Sequence, residues 1–427
     1  MFTSIFDIYN LNVDKENLKS WGNNFEKIVN VNPGFRLPGI DFGNQNSYGD
    51  AFMPFSNTSF KVDKNTFLEK EFTSASTELK EYLLLSDHSL FGIPGRNNVT
   101  VGGAIAADTH GKDNLWGGSF GRNIDSIILK LPSGEVITAS SEQNFEIFES
   151  TIGGYGLTGS ILGCKFKKEI KKNIFYIKET NTGKGVSNLI NNKTFDNNSY
   201  WVGWIDLLDK NFPWVSDTYY SQIDMPRGGK KNTNYEFSKF NLSFLGKNSF
   251  NSMKMINNIY FLKNQFSNKK IVSSEDMHYP LGAFSDTRNI AKNRKIIQIQ
   301  FSIPHENRSN LEELINLLIY KQTPVLCSIK RLGKNNLLNN LSFYQNGWTL
   351  AVDFSLDTFD FQAINTFISK LIELEGKIYL AKDSILSESQ FKKMYTNFQS
   401  FQKTLKKIDP DNIYQSEMSK RLGIKNW

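Results

Sequence analysis

The sequence predicts an α+β protein, and three observations carry that prediction. Stretches that alternate with period two, such as IIQIQFSI at 296–303, interleave with stretches of helical spacing, such as 310–321, and nothing repeats. A hairpin pattern, SIILKLPSGEVITA at 126–139, turns at Pro132-Ser133-Gly134. One long glycine-rich stretch, 98–128, reads NVTVGGAIAADTHGKDNLWGGSFGRNIDSII and is too long and broken for a phosphate loop ending in Gly-Lys-Ser/Thr. Its six glycines would let backbone press on a ligand and turn N–H groups onto phosphate oxygens.

The elements follow in order. Residues 1–60 are irregular and aromatic-rich and hold a first glycine loop, GNQNSYGD at 43–50. A strand and then a helix over 73–85 come next, the helix opened by a Thr/Ser cap. The turn FGIPG at 91–95 leads into the central stretch. After the hairpin, 145–150 reads as a short helix, 151–159 (TIGGYGLTG) as a third glycine loop, and 160–166 as a buried strand. The third loop contains a formal GxGxxG at 154–159. A dinucleotide fingerprint should follow a strand and open a helix, whereas here a helix precedes and a strand follows, so that reading fails.

Beyond 172 aromatic strands alternate, at 174–177 and 200–208. A looser Asn- and Lys-rich section follows, rich in aromatics and methionines from 240 to 266. Strands are expected at 296–303, 325–330, 348–354 and 377–381, and helices at 310–321 and 359–374, the last ending at Gly376. Ser387, with Gln390 three residues on, caps a final helix that runs to Asp409-Pro410.

Composition bounds the function. A chain of 427 residues with 39% hydrophobic and 22% charged residues is globular and long enough for two domains. The net charge of +7 suggests anionic partners, but the densest basic runs, 165–172 and 227–231, read as solvated loops or strand edges. No clustered basic face or nucleic-acid motif appears, so nucleic acid is not an expected partner. Cys164 and Cys327 lie in apolar runs without CxxC spacing and read as core residues. The four histidines, at 88, 110, 278 and 305, have no zinc-type spacing, so no metal is expected. No signal peptide and no apolar run near 18 residues is evident. The expectation is a soluble cytoplasmic protein, with peripheral contact at the inner face of the membrane left open.

The three glycine loops, in this order, resemble the FAD-embracing loops of the vanillyl-alcohol-oxidase, or PCMH-type, flavoproteins. Further segments resemble one subfamily, the decaprenylphosphoryl-β-D-ribose 2′-oxidases: WIDLL (204–208), HYPL (278–281), QIQFSIP (298–304), IKRLG (329–333), LSFYQNGWTLAVDF (341–354), IYLAKDS (378–384) and DPDNIYQSEMSKRL (409–422). The likeness covers nearly the whole chain and is weakest around 210–275. It implies a PCMH-type FAD-binding domain at 1–173, a substrate domain at 174–376 built on an antiparallel sheet with flanking helices, and a return to the first domain at 377–427. It implies non-covalent FAD and oxidation of the 2′-hydroxyl of a polyprenyl-phosphate pentose. A separate short-chain reductase would then reduce the keto product, completing an epimerisation in cell-envelope synthesis. The alternative is the same flavin chemistry on a soluble alditol or aldonolactone.

Residue by residue, the resemblance assigns cofactor contacts to Gly43, Asn44, Gln45, Asn46, Ser47, Tyr48, Gly49 and Asp50 of the first loop. In the second it assigns Gly102, Gly103, Ala107, Asp108, Thr109, His110, Gly111, Lys112, Ser119, Phe120 and Gly121. To these it adds Gly156, Gly159 and Ile161 of the third loop, and Tyr379. Lys382 is the implied catalytic base; the plain alternative is a surface lysine just past a strand. Gln298 and Gln300, two apart on one strand, point to one face, either toward sugar hydroxyls or into water. Lys330 would hold the phosphate, and Trp204 and His278 would line the substrate. Departures from the family pattern fall at Gln45 and Asn46 in the first loop, and at His278, Thr349 and Ala351 on the substrate side.

Overall fold

Two antiparallel sheets organise the chain. The computed structural model describes residues 72–96, 99–192, 199–222, 250–267, 269–279, 296–334 and 341–427. The first glycine loop, 43–50, and the whole of the 223–249 section lie outside the described residues.

β1 (Thr73–Ser74) and α1 (Leu79–Leu85) come first, then β2 (His88–Ser89). The helix begins six residues later than the sequence suggests. Thr73 and Ser74 pair with Cys164 and Gly163 of a later strand, and the cap position falls on Glu78 without a side-chain bond. The central stretch forms α2 (Val101–Ala107) and a single turn, α3 (Asn114–Gly117). β3 (Ile124–Lys130) and β4 (Val136–Ser140) are the expected hairpin, with Gly134 at φ 95° in its turn. α4 (Phe145–Thr151) and the buried β5 (Ser160–Phe166) bracket the third glycine loop in the order that excludes a dinucleotide fingerprint. The first sheet runs β1-β5-β3-β4, and its core of Leu79, Ile105, Phe120, Ile127, Leu129 and Cys164 packs it against α1 and α2.

A minor strand, β6 (Ile170–Lys171), pairs with β2 before the large sheet begins. That sheet is built from β7 (Phe175–Lys184), β8 (Tyr200–Ile205) and β9 (Pro213–Gln222), with α5 (Val186–Asn191) between β7 and β8. α6 (Phe250–Gln265), β10 (Lys270–Ser273) and α7 (Ser274–His278) follow. Then come β11 (Ile296–Pro304), α8 (Leu311–Ile319), β12 (Pro324–Leu332), β13 (Gly347–Ser355), α9 (Ile364–Glu373) and β14 (Lys377–Ile378). Their order across the sheet is β10-β7-β9-β8-β12-β13-β11-β14.

The two faces of this sheet differ in chemistry. Ile297, Ile299, Phe301 and Ile303 of β11 share a face with Trp348, Leu350, Val352 and Phe354 of β13 and with Cys327 and Ile329 of β12. α8 and α9 cover that face with Leu311, Leu314, Ile315 and Leu318, and with Ile364, Phe367, Ile368 and Leu371, each set at helical spacing. The other face carries Gln298, Gln300 and Ser302, then Thr349, Ala351 and Asp353, then Ser328 and Lys330. The side chains of Gln298, Gln300, Ser302, Thr349 and Asp353 are buried as well. An unpartnered buried amide costs about 1–3 kcal/mol, so this polar face must meet a polar layer.

The central stretch supplies that layer. Trp201 N–H of β8 donates to Lys112 O at 2.7 Å, Trp116 Nε1 donates to Ser199 O at 3.0 Å, and the Trp116 ring meets Tyr200 edge-on at 5.4 Å.

The expected final helix is broken into two pieces, α10 (Glu388–Met394) and α11 (Phe398–Ile408), and a short α12 (Glu417–Arg421) follows beyond Asp409-Pro410. The Ser387–Gln390 capping box is present. The break falls at Tyr395, whose hydroxyl donates to Ile378 O at 2.7 Å, so a tertiary bond overrides local helix propensity. The strand expected at 377–381 pairs only at Lys377 and Ile378 and then enters a 3-10 turn, Leu380–Lys382. The segment after 377 touches both sheets: β14 adds to the large one, while Tyr414 Oη and Ser160 Oγ of β5 lie 2.6 Å apart.

Candidate active site

The central stretch folds onto itself before it meets anything else. Thr100 caps α2 by accepting from Gly103 N–H at 3.1 Å, and α2 ends at Asp108 in the left-handed region. The Asp108 carboxylate accepts from Gly121 N–H at 2.9 Å, Thr109 Oγ1 donates to Gly92 O at 3.0 Å, and Phe120 N–H donates to Thr109 O at 2.8 Å. His110 and Ser119 face each other in an isolated antiparallel bridge. The polar groups of Asp108 and Thr109 thus shape the loop.

Several glycines and one apolar residue of the assigned set have packing reasons of their own. Gly159, at φ 145°, would place a Cβ 2.3 Å from Lys130 O, and Gly111 would place one 2.3 Å from Asp113 Oδ1. Gly102 packs on Ala75. Ile161 lies in the core of the first sheet.

The residues that converge on the polar face of the large sheet are His110, Gln298, Gln300, Lys330, Tyr379 and Lys382. His110 Nε2 lies 2.7 Å from Gln300 Nε2, and the same amide nitrogen donates to Thr349 Oγ1 at 3.0 Å. Thr349 donates its own proton to Phe301 O at 2.9 Å, so it must accept from Gln300. That fixes the amide orientation and makes His110 Nε2 an acceptor, leaving its proton on Nδ1. Burial keeps the ring neutral by driving its pKa well below the ordinary value, helped by the charges of Lys330 and Lys382. Tyr379 spans the layers, its hydroxyl donating to Ala107 O at 2.7 Å and its ring lying 4.7 Å from Phe343 and 5.7 Å from His110. Gln298 Nε2 donates to Asp353 at 2.5 Å.

Lys382 stands in the turn after β14, with its ammonium in this cluster. Burial lowers its pKa far from the ordinary lysine value, Lys330 adds to that, Asp353 opposes it and Arg96 lowers it further. Asp353 is raised, chiefly by burial, against the hydrogen bond from Gln298 and the charge of Lys382. Lys330 is pushed down to about 8 by burial, with Asp113 opposing. Asp113, raised by burial to about 6, accepts from Gly92 N–H at 2.9 Å.

Lys112 and His278 meet at the neighbouring end of the same face. Lys112 Nζ donates to His278 O at 2.7 Å, which ties the central stretch to the C-terminus of α7. Burial and the Lys112 charge hold His278 down at about 3, so it is neutral, and its ring meets Tyr200 edge-on at 6.3 Å. Trp204 shares the Gln300 face through the register Gln300–Ala351–Ser328–Trp204, but three strand spacings, roughly 14 Å, separate the two. Its ring packs edge-on against Tyr260 of α6 at 5.0 Å.

Sequence reasoning passed over Asp353, Asp113 and Phe343 as site residues. Asp353 had a legible signal, an acid at period two with Thr349 and Ala351 in an otherwise apolar strand. Asp113 and Phe343 had none, because only the tertiary fold brings them to the cluster.

Three atoms of the cluster, His110 Nδ1 and the Oε1 atoms of Gln298 and Gln300, are buried without a hydrogen-bond partner among the described residues. One donor and two acceptors, set among lysines that can take either protonation state, fit a planar ring with both donor and acceptor edges. A flavin has those edges.

Comparison with known proteins bears on this fit. The family described as D-arabinono-1,4-lactone oxidase matches residues 357–422, the stretch that holds Tyr379 and Lys382. The chain is 25% identical over 402 residues to decaprenylphosphoryl-beta-D-ribose oxidase of Mycolicibacterium smegmatis, covering 87% of this chain and 84% of that protein. These similarities support an oxidoreductase acting on CH–OH donors. A 69-residue stretch is also 41% identical to an uncharacterized protein in mprA 5'region of Streptomyces coelicolor, covering 16% of this chain and 18% of that one.

Proposed function

We propose that the chain oxidises the 2′-hydroxyl of a polyprenyl-phosphate pentose to a ketone, using non-covalent FAD. The observation that carries this reading is the convergence of Lys382, Lys330, Gln300, Gln298 and His110 on one buried polar sheet face under the central stretch. Similarity to decaprenylphosphoryl-beta-D-ribose oxidase over most of both chains supports the substrate class. In this reading residues 1–173 form a PCMH-type FAD-binding domain, 174–376 the substrate domain, and 377–427 a return to the first.

FAD, when bound, would supply the two-electron acceptor for oxidation at the carbinol carbon. The protein does the rest. A pKa lowered by burial favours the neutral amine of Lys382, which can take the hydroxyl proton. Asp353, beside it in charge, stabilises the ammonium that results. Gln298 and Gln300 offer their free Oε1 atoms to sugar hydroxyls or to the ring edge. His110 offers its Nδ1–H while Gln300 holds its tautomer. Lys330 supplies positive charge for the phosphate, and Lys112 fixes the His278 segment at the substrate end. The keto-sugar passes to a separate short-chain reductase, and the lipid tail is met at a membrane surface, completing an epimerisation for the cell envelope.

A second reading is oxidation of a soluble alditol or aldonolactone, favoured by the description of the family matched at 357–422. Anaerobic bleaching of the flavin by a panel of polyprenyl-phosphoryl pentoses, alditols and aldonolactones separates the two. Bleaching by the soluble sugars alone would replace the first reading by the second. Acid precipitation should release the yellow colour into the supernatant. His110 is held at Nε2 by Gln300, Cys327 lies on the helix-covered face of the sheet, and Cys164 is buried in the first sheet. A coloured pellet would refute non-covalent binding.

A further inference from the structure

The segment that carries Lys382 is gripped from outside its own strand. The ladder of β14 stops at Ile378, four residues before the lysine. Within the segment Tyr379 N–H donates to Gln300 O at 2.8 Å and Lys382 N–H donates to Tyr379 O at 2.9 Å. The next residue, Asp383, has a side chain with 0% exposure. One of its carboxylate oxygens accepts from Ile385 N–H at 2.9 Å and Leu386 N–H at 3.0 Å, closing the turn that follows. The other accepts from Arg421 Nη2 at 2.9 Å. The same guanidinium donates to the Asp383 carbonyl at 3.3 Å and, through Nη1, to the Leu386 carbonyl. Arg421 therefore holds both ends of the 383–386 turn with one planar fork.

Its base is firm. Arg421 lies in the last turn of α12, whose start is fixed by a Ser416–Ser419 capping box, and Met418, Leu422 and Ile424 around it are in the core. The stretch matched by the lactone-oxidase family, 357–422, contains both halves of the grip. The mechanism above gives Arg421 no task.

We propose that Arg421 is a positioning residue for Lys382, acting through Asp383 to set the ammonium on the polar face of the sheet. This rests on the reading of Lys382 as the base. Lysine could not replace the arginine, because a point charge cannot satisfy a carboxylate and two carbonyls in separate directions. The groups that face Lys382 are Lys330 on β12, Asp353 on β13, Arg96 ahead of α2 and His110 of the central stretch. Loss of Arg421 leaves the Asp383 carboxylate without its counter-charge and loosens the turn toward water. Both changes favour the ammonium form of Lys382.

The test uses the full-length, flavin-loaded chain with Arg421→Lys, Arg421→Met, Lys382→Met and the Arg421→Lys/Lys382→Met pair. Competitive acetylation, read at Lys382 by mass spectrometry across pH, gives the titration midpoint of that amine. Anaerobic flavin reduction by a short-chain polyprenyl-phosphoryl ribose gives the rate. Arg421→Lys should slow reduction about 10–100-fold with KM little changed, as displacement of a reacting group does. Both Arg421 variants should raise the labelling midpoint, and Arg421→Lys decides if Arg421→Met does not fold. In the Lys382→Met background the further cost of Arg421→Lys should vanish. An unmoved midpoint, or an equal cost in both backgrounds, overturns the positioning role while leaving Lys382 as the base. A near-parental rate for Lys382→Met alone removes the base and the positioning role together.

Discussion

Lys382 and its neighbours make a set of charges whose removal has calculable signs. Lys382→Ala should keep its flavin, because the cofactor site as read here spans three loops, but loss of a general base costs roughly 10²–10⁴-fold in flavin reduction. A variant that bleaches at the parental rate takes Lys382 out of the chemistry. The pH profile carries a sharper test. Lys330 lowers the Lys382 pKa and Asp353 raises it. The reactive form is the neutral amine, so activity rises with pH through the folded pKa, below the ordinary lysine range. Lys330→Met removes a repelling cation and should move the acid limb of the rate profile to higher pH. Asp353→Asn removes an attracting anion and should move the same limb to lower pH. Stopped-flow reduction across pH reads both, and shifts of the same sign would break the assignment.

At the scale of elements, the large sheet is one structure with two uses. Phe301 shows the division: it is fully buried on the helix-covered face, its ring edge-on to Phe367 at 5.2 Å, while Gln300 and Ser302 beside it point the other way. Phe301→Ala should cost about 3–5 kcal/mol in urea unfolding, yet leave the flavin reduction rate of the folded fraction within a few-fold. A normal stability with a lost rate would mean that the faces are not separate. Much of this layout was legible beforehand. β5 falls on the predicted 160–166, and β11 and β13 extend their predictions by no more than a residue at each end, because period-two runs bounded by polar or proline residues have few alternatives. Helix ends were less legible. α9 starts at Ile364, five residues late, because Asp360 accepts from Gln362 and Ala363 N–H and so closes a turn where a helix was expected. For β11, alternation alone left open whether its glutamines faced water or a ligand. Burial of Gln298 and Gln300 under a stretch nearly 190 residues earlier is a property of the fold, out of reach of any local pattern. Lys382 is the same case: a lysine just past a short strand reads as surface until the second layer is in place.

At the scale of the whole molecule, the proposed substrate joins a polar sugar to a lipid tail, and no helix among the described residues is long and apolar enough to cross a membrane. On that proposal the tail is met at a surface, and α6 offers a candidate. Met255, Ile259 and Leu262, with Phe266 just past the helix end, are 49%, 57%, 54% and 84% exposed and are spaced four, three and four residues apart, so they form one stripe. Exposed Lys254 and Lys263 project from the two flanks of that stripe, about 90° to either side of it. The opposite side of the helix is anchored, with Asn257 donating to Asp206 at 2.7 Å and Phe261 buried in the core. The part of the aromatic-rich section ahead of α6, 240–249, lies outside the described residues. An apolar stripe between lysines suits the interface of an anionic bilayer, where each lysine near the surface contributes about 1 kcal/mol. Lys254→Glu/Lys263→Glu should therefore weaken sedimentation with phosphatidylglycerol vesicles by at least about tenfold at low salt. Oxidation of a short-chain, soluble donor should stay unchanged, because both lysines are distant in the fold from the polar face around Lys382. If the parent chain ignores such vesicles at low salt, or the double reversal binds them equally well, this stripe is not where the lipid is met.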